Sequence, residues 1–140
     1  MLIFLRTLAL LTMLWRISMA VQAEGIEVNA VSAAGKSALI IAASAGHTGI
    51  ASALLVADCI DVNAVDADGK TALIRATEAG HVDIATTLLI TDGIAVDAMD
   101  KTGKTAQMHA EAGGHSDIVA LIEEVQKEAT MASCVSELAF

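Results

Sequence analysis

One string of residues recurs three times in this 140-residue chain. The copies span residues 35–47, 69–81 and 103–115, and each opens on Gly-Lys-Ser/Thr-Ala and closes on Gly-His, so that they follow one another at a constant interval. A fixed period between about 20 and 50 residues is typical of stacked-repeat proteins, in which each unit buries its apolar face against its neighbours. The spacing therefore predicts a stack of similar units.

Composition favours helices for these units. Hydrophobic residues make up 55% of the chain and are mostly Ala, Leu, Ile and Val, whereas aromatic residues make up 2% and Pro is absent. Side chains of this kind suit close packing between helices better than a core built around large rings. We therefore predict an all-α fold.

Each unit is predicted to be a tight turn followed by two helices. The first helix would begin at a hydroxyl side chain that caps its free N–H groups and would end at a glycine, which accepts the left-handed backbone. These residue pairs are Ser37 and Gly46, Thr71 and Gly80, and Thr105 and Gly114. The second helix follows each Gly-His and would bury a single apolar stripe. Its residues are Ile50, Leu54 and Leu55 in repeat one, Ile84, Leu88 and Leu89 in repeat two, and Ile118 and Ile122 in repeat three.

These units resemble the ankyrin repeat family. In the second unit the family pattern is matched by Asp66, Gly69, Thr71, Leu73, Ala76, Gly80, His81, Ile84, Leu88, Leu89, Val62 and Asn63. The resemblance covers about residues 26–125 and implies a right-handed stack of three helix pairs, an ankyrin-repeat solenoid. The implied repeats span about 26–59, 60–93 and 94–127, within a domain at 24–130 that is followed by a tail at 131–140. The chain departs from the family pattern in two features. At the positions of the family's Thr-Pro-Leu-His it has neither the Pro nor the His, and each connection is one residue longer.

The resemblance also implies a function. Members of this family bind proteins through the turn tips and the exposed side of the first helices, so the chain is expected to be a non-catalytic binding module without a cofactor. The residues at these positions are Val31, Ala33, Lys36 and Ser44 in repeat one, Val65, Ala67, Asp68, Lys70 and Glu78 in repeat two, and Met99, Lys101 and Lys104 in repeat three. Residues specific to the partner are expected where the repeat leaves the side chain variable, at Lys70, Arg75 and Glu78.

Motifs that carry other chemistry are incomplete. The triple Gly-Lys-Ser/Thr ends like a phosphate-binding P-loop, but Ala30, Ala64 and Ala98 stand where that motif requires its first Gly. The acidic residues near Asp66 lack the ligands of a calcium loop, because Val65 and Ala72 occupy two ligand positions. No nucleophile motif of a hydrolase occurs in the chain.

The repeated histidines, His47, His81 and His115, are predicted to be structural. Equivalent positions on packed helices lie about 10 Å apart, whereas metal–nitrogen bonds are about 2 Å long, so these side chains cannot share one ion. We expect them to hydrogen-bond to neighbouring turns.

Residues 1–23 are similar to a secretory signal peptide. Arg6 supplies the positive start, an apolar run follows it, and small residues at Ala20 and Ala23 offer cleavage sites, of which Ala23 is preferred. Two alternatives stay open: residues 2–20 could anchor the chain in a membrane, although Arg16 interrupts the apolar run, or they could form a buried helix. The expected location is the periplasm or the extracellular space.

Net charge restricts the partners. The chain carries a charge of −9, and cleavage after Ala23 would leave 6 basic side chains against 17 acidic ones. Such a surface repels nucleic acid and favours a basic protein partner. Two alternatives to an adaptor are therefore an inhibitor or immunity protein against a basic toxin or hydrolase, and an accessory subunit of an envelope enzyme.

The two ends of the array differ. Repeat three carries Gln107, Glu111 and Glu123 and is predicted to be a polar C-terminal cap whose last helix extends to about Thr130. Repeat one has Ile40 and Ile41 and almost no charge, so we expect its apolar end to be covered by a partner or by weak self-association with a second copy.

The two cysteines, Cys59 and Cys134, fall in a connection and in the C-terminal tail. They lie about two repeats apart along the stack, and we expect both thiols to be unpaired and Cys59 to be partly buried.

Overall fold

The computed structural model describes residues 27–138, with side chains described for residues 27–132. Six α-helices form in this part of the chain, two for each repeat. They are α1 (Ala38–Ala45), α2 (Thr48–Leu55), α3 (Ala72–Ala79), α4 (Val82–Leu89), α5 (Ala106–Gly113) and α6 (Ser116–Leu138). Residues 27–138 contain no β-strand longer than an isolated bridge, and the predicted all-α solenoid of helix pairs is confirmed.

The predicted boundaries of the first helix are confirmed in all three repeats. Each first helix begins after a capping hydroxyl, and the Thr71 oxygen accepts a hydrogen bond of 3.3 Å from the Ile74 N–H. Ser37 and Thr105 cap α1 and α5 in the same way. Each first helix ends at a glycine in the left-handed conformation, where Gly46 has φ 79° and Gly80 has φ 75°. A left-handed residue turns the chain sharply and allows the second helix to start two residues later.

Neighbouring repeats stack first helix on first helix and second helix on second helix. Helix α3 packs between α1 and α5, while α4 lies between α2 and α6. The buried residues form one cluster that runs through all three repeats, and its largest fully buried apolar members are Leu39, Ile40, Leu73, Ile74, Ile84, Leu88, Ile118 and Ile122. Burial of each such side chain stabilises the fold by about 1.5–3 kcal/mol, which offsets the weakness of eight-residue helices in isolation.

Asparagine side chains join the connections of adjacent repeats. The Asn29 amide donates a hydrogen bond of 2.6 Å to the Cys59 carbonyl and accepts one of 2.8 Å from the Asp61 N–H. Asn63 repeats both bonds one period later, to Gly93 and from Ala95, each at 2.8 Å. The recurring Val-Asn-Ala string therefore holds the next connection in place by its backbone.

The histidines pack on glycines of the preceding repeat. A Cβ atom placed on Gly46 would lie 2.7 Å from Cε1 of His81, and one placed on Gly80 would lie 2.6 Å from Cε1 of His115. Each imidazole thus fills the space that a side chain would otherwise occupy. The expected hydrogen bonds to neighbouring turns are absent for His81 and His115. Within residues 27–132 their rings make no hydrogen bond and contact the turn by packing alone.

Two other expectations need correction. Helix α6 does not end near Thr130 but continues to Leu138, because residues 116–138 contain neither Gly nor Pro to stop it. Cys59 is exposed rather than partly buried, since it lies in the turn after α2, where its carbonyl makes the contact with Asn29.

The proposed signal peptide and its cleavage sites lie outside the described residues, as does the Cys134 side chain. Within residues 27–138, none of the six helices has both the length and the apolar character that crossing a membrane requires.

Candidate partner-binding surface

Three exposed apolar side chains form a row along one edge of the stack. Val31, Val65 and Met99 stand at equivalent positions of the three repeats, and 61%, 54% and 65% of their surfaces are exposed. Each forms an antiparallel β-bridge, the three partners being Ser37, Thr71 and Thr105. The hairpins therefore share one conformation and project the three side chains in the same direction. We call Val31, Val65 and Met99 the hairpin row.

Backbone hydrogen bonds keep the hairpins in register. The Ala67 N–H donates to the Ala34 carbonyl at 3.4 Å, and the Lys101 N–H donates to the Asp68 carbonyl at 3.1 Å. Each bond joins one hairpin to the next along the stack. The hairpin row is consequently fixed by the scaffold and not by three independent loops, which reduces the entropy lost on binding.

The residues predicted to bind a partner divide into two groups. An exposed group contains Val31, Ala33, Val65, Ala67, Asp68, Met99, Lys101 and Lys104. A half-buried group contains Lys36, Ser44, Lys70 and Glu78. The first group lies on or beside the hairpin row. In the second group, Lys70 and Glu78 point their charged ends at each other and form an ion pair.

That ion pair belongs to a larger ionic cluster behind the hairpin row. The cluster consists of Asp66, Asp68, Lys70, Arg75 and Glu78 from repeat two and Asp100 and His109 from repeat three. Arg75 is its centre. The guanidinium donates to Asp66 at 2.5 and 2.8 Å, to Asp68 at 2.7 Å and to Glu78 at 3.3 Å. All of the charges in repeat two's hairpin are thereby paired within the protein.

His109 connects the cluster to repeat three. Its Nε2 lies 2.8 Å from the Asp100 carboxylate and its Nδ1 lies 3.3 Å from the Glu78 carboxylate. The ring therefore lies between a carboxylate of repeat two and a carboxylate of repeat three.

Hydrogen bonds hold the two buried aspartates in their charged form. Burial raises the pKa of Asp66. Hydrogen bonds from Arg75 and from the backbone N–H groups of Lys70 and Asp68 lower it by more, so the net pKa lies below the ordinary value. The hydroxyl of Thr102, which donates at 2.6 Å, is the main reason that the pKa of Asp100 lies well below its usual range. Both carboxylates also accept the N–H groups of their own turn.

Lys70, Arg75 and Glu78, the positions where residues specific to the partner are expected, are bonded to one another. Their side chains are 16%, 18% and 28% exposed. Sequence reasoning missed this cluster and the part played by His109. The available signal was the coincidence of Asp66 and Asp100 with a basic side chain nine residues later in each repeat, Arg75 and His109.

Repeat one has no counterpart of the ionic cluster. Ser32, Ala34, Ile41 and Ser44 occupy the positions of Asp66, Asp68, Arg75 and Glu78. Ile41 is 46% exposed. The surface therefore changes from apolar at repeat one to paired charges at repeats two and three.

Two further observations concern the polar side chains in the part of the chain that the structure describes. Among those residues, no group of three or more His, Cys, Asp or Glu side chains is placed to hold a metal ion. Every buried side-chain nitrogen or oxygen in the same part has a hydrogen-bond partner. The buried polar groups are thus satisfied within the fold.

Helix pairs that repeat at a fixed period, stack in register and present a row of hairpins define a repeat solenoid. The family model for ankyrin repeats, which represents three copies, matches residues 13–100. The chain belongs to the ankyrin repeat family, whose repeats are protein-binding modules and generally non-catalytic scaffolds. The matched segment begins inside the region predicted to be a signal peptide. Comparison with curated proteins finds no match to the chain.

Proposed function

We propose that this protein is a non-catalytic adaptor that binds a protein partner through the hairpin row and the adjoining side of the first helices. The observation that carries the proposal is the exposure of Val31, Val65 and Met99 at equivalent positions of three consecutive repeats. Apolar side chains aligned on a rigid edge are costly to leave in water and gain about 25 cal/mol for each Å² that a partner covers.

Charged side chains around the row supply specificity. Lys101 and Lys104 are exposed beside Met99, and within residues 27–132 neither forms an ion pair. The acidic side chains nearest to Val65 are largely occupied by Arg75 and Lys70. A partner would therefore place apolar side chains along the row and acceptor groups opposite the two lysines of repeat three.

Affinity capture with matched variants tests this surface. The full chain and the double variant Val65→Asp/Met99→Asp are used as bait in the same cell extract, with Asp83→Ala on the outer side of α4 as a control. Both altered side chains of the double variant are more than half exposed, so it should fold. We expect the double variant to lose proteins that the wild type and Asp83→Ala both retain. Equal retention by all three baits would contradict the proposal.

An inhibitor of a basic toxin or hydrolase is the second candidate, favoured by the net charge of −9. Charge-steered association slows strongly as salt is added, whereas apolar docking responds weakly. The salt dependence of the association rate with a captured partner therefore distinguishes the inhibitor from the adaptor.

Export is proposed from the composition of residues 1–23. Intact-mass measurement of the protein purified from its source would find a chain that starts at Glu24, or at Val21 if cleavage follows Ala20. An uncleaved chain would contradict export by a removable signal and would favour the alternative roles of this segment, a membrane anchor or a buried helix.

Weak self-association through repeat one is proposed because Ile41 and Ile50 are 46% and 54% exposed at its outer end. Sedimentation of the full chain over a range of concentrations tests it. A strict monomer at the highest concentration would contradict it.

A further inference from the structure

The charges of the protein are divided between its two sides. The connections and second helices of repeats one and two, at 48–63 and 82–97, contain five aspartates and no Lys or Arg. These aspartates, Asp58, Asp61, Asp83, Asp92 and Asp97, are all exposed. Five of the six basic side chains between residues 27 and 132 instead belong to the hairpins and first helices. The net negative charge that favours a basic partner therefore resides mainly on the side opposite the hairpin row.

An apolar groove crosses this acidic side between the ends of α2 and α4. It has a volume of about 810 Å³, and its lining includes Leu55, Val56, Ile60 and Ile90. Val56 and Ile90 stand at equivalent positions of repeats one and two and are 81% and 76% exposed, more than any other large apolar side chains in the described part of the chain. Leu55 and Ile60, which also line the groove, are half-buried.

A carboxylate accompanies each exposed apolar side chain of the groove. Asp58 follows Val56 by two residues, and Asp92 follows Ile90 by two, and both line the groove. Within residues 27–132 neither aspartate forms a salt bridge or a side-chain hydrogen bond, unlike the aspartates of the ionic cluster. The pattern ends at repeat three, where Glu124 and Gln126 occupy the equivalent positions.

We propose that this groove is a second docking site, which takes a segment of a partner protein whose apolar side chains are flanked by Lys or Arg. Val56 and Ile90 would contact the apolar side chains, while Asp58 and Asp92 would pair with the flanking cations. The same negative charge opposes binding of nucleic acid and of anionic lipid surfaces. The site is independent of the hairpin row, so that one molecule could hold two partners on opposite sides of the stack.

Nuclear magnetic resonance with two synthetic peptides tests the groove directly. The isotope-labelled full chain is titrated with an amphipathic helical peptide of Leu and Lys, and separately with a peptide of the same length in which Glu replaces every Lys. The Leu/Lys peptide should shift the backbone signals of residues 56–60 and 90–92 most strongly, and the Leu/Glu peptide should not bind. Shifts confined to the hairpin row, or equal binding of both peptides, would overturn the proposal.

Variants separate the apolar contribution from the ionic one. Val56→Ser/Ile90→Ser removes exposed apolar surface without changing the charge, and should raise the Kd of the Leu/Lys peptide about ten-fold. Asp58→Asn/Asp92→Asn should raise this Kd about three-fold at low salt and reduce its salt dependence. Val31→Ser/Val65→Ser on the hairpin row is the control and should leave the Kd unchanged.

Two outcomes would overturn the inference while leaving the proposed function intact. One is an unchanged Kd in Val56→Ser/Ile90→Ser. The other is concentration-dependent self-association that this variant abolishes, which would make the occupant a second copy of the chain. Loss of binding in the hairpin-row control would instead show that the peptide uses the surface assigned to the adaptor.

Discussion

Repeats one and two share a backbone and differ in how they treat their surfaces. Both have a hairpin, a hydroxyl N-cap and a left-handed glycine at the end of the first helix. Repeat two is covered on both sides and binds its hairpin to its helix through Arg75, whereas repeat one carries Ile41 at that position and leaves it 46% exposed. The repeated residues therefore specify the scaffold, while the residues between them decide whether a repeat is bound into the stack or left open for contact.

The largest effect should come from a matched pair of core substitutions. Both Ile84 in repeat two and its equivalent Ile50 in repeat one are predicted to be buried. Ile84 is fully buried, but for Ile50 the prediction is wrong, since its side chain is 54% exposed. Ile84→Ala should lower the free energy of unfolding by about 3–4 kcal/mol because it leaves a cavity, and Ile50→Ala by less than about 1 kcal/mol. Urea denaturation of both variants measures the difference. Equal losses would mean that repeat one's outer end is covered in solution.

Removal of the centre of the ionic cluster should have the next largest effect. Arg75→Ala leaves the buried Asp66 carboxylate without its main partner, although two backbone N–H groups still bond to it. We expect a loss of about 2–3 kcal/mol in the free energy of unfolding. The matched variant Ile41→Ala in repeat one should cost less than about 1 kcal/mol, because that side chain is nearly half exposed. Thermal or urea unfolding that ranks the two equally would contradict the role given to Arg75.

A smaller effect distinguishes two helix-ending glycines. Gly80 and Gly114 have φ of 75° and 73°, but only at Gly80 would a side chain meet the ring of His115, at 2.6 Å. Gly114→Ala should therefore cost about 1 kcal/mol for backbone strain alone, and Gly80→Ala about 2 kcal/mol. Equal costs, measured by urea denaturation, would show that His115 moves aside without loss and that its packing on Gly80 contributes little.

The pH dependence of stability should come in part from the two aspartates of low pKa. A carboxyl whose pKa is lower in the folded state stabilises the fold above its unfolded pKa of about 3.9, and this stabilisation is lost as pH falls towards the folded pKa. Stability should therefore decline below about pH 4. The decline should be shallower in Asp66→Asn and Asp100→Asn, whose side chains no longer titrate. Parallel pH profiles for wild type and variants would contradict this assignment.

Much of the scaffold was predictable because it depends on local, repeated features. The constant repeat period, Thr71 as a cap and Gly80 as a helix end need only neighbouring residues. The ionic cluster was less accessible, since Arg75 meets Asp66 nine residues away and Glu78 meets His109 from another repeat. The exposure of Val56 and Ile90 also escaped sequence reasoning, because both directly follow a buried apolar stripe and differ from it only by their place after the helix end.

Site-specific photo-crosslinking tests whether the hairpin row contacts a protein partner. A photoreactive amino acid replaces Val65 in one protein and Asp117 in another. Both positions are exposed, but Asp117 lies in the first turn of α6 and away from the hairpins. After irradiation in an extract from the source cells, we predict discrete crosslinked products from position 65 and none of the same mass from position 117. Identical products from both positions, or none from position 65, would contradict a partner contact at the hairpin row.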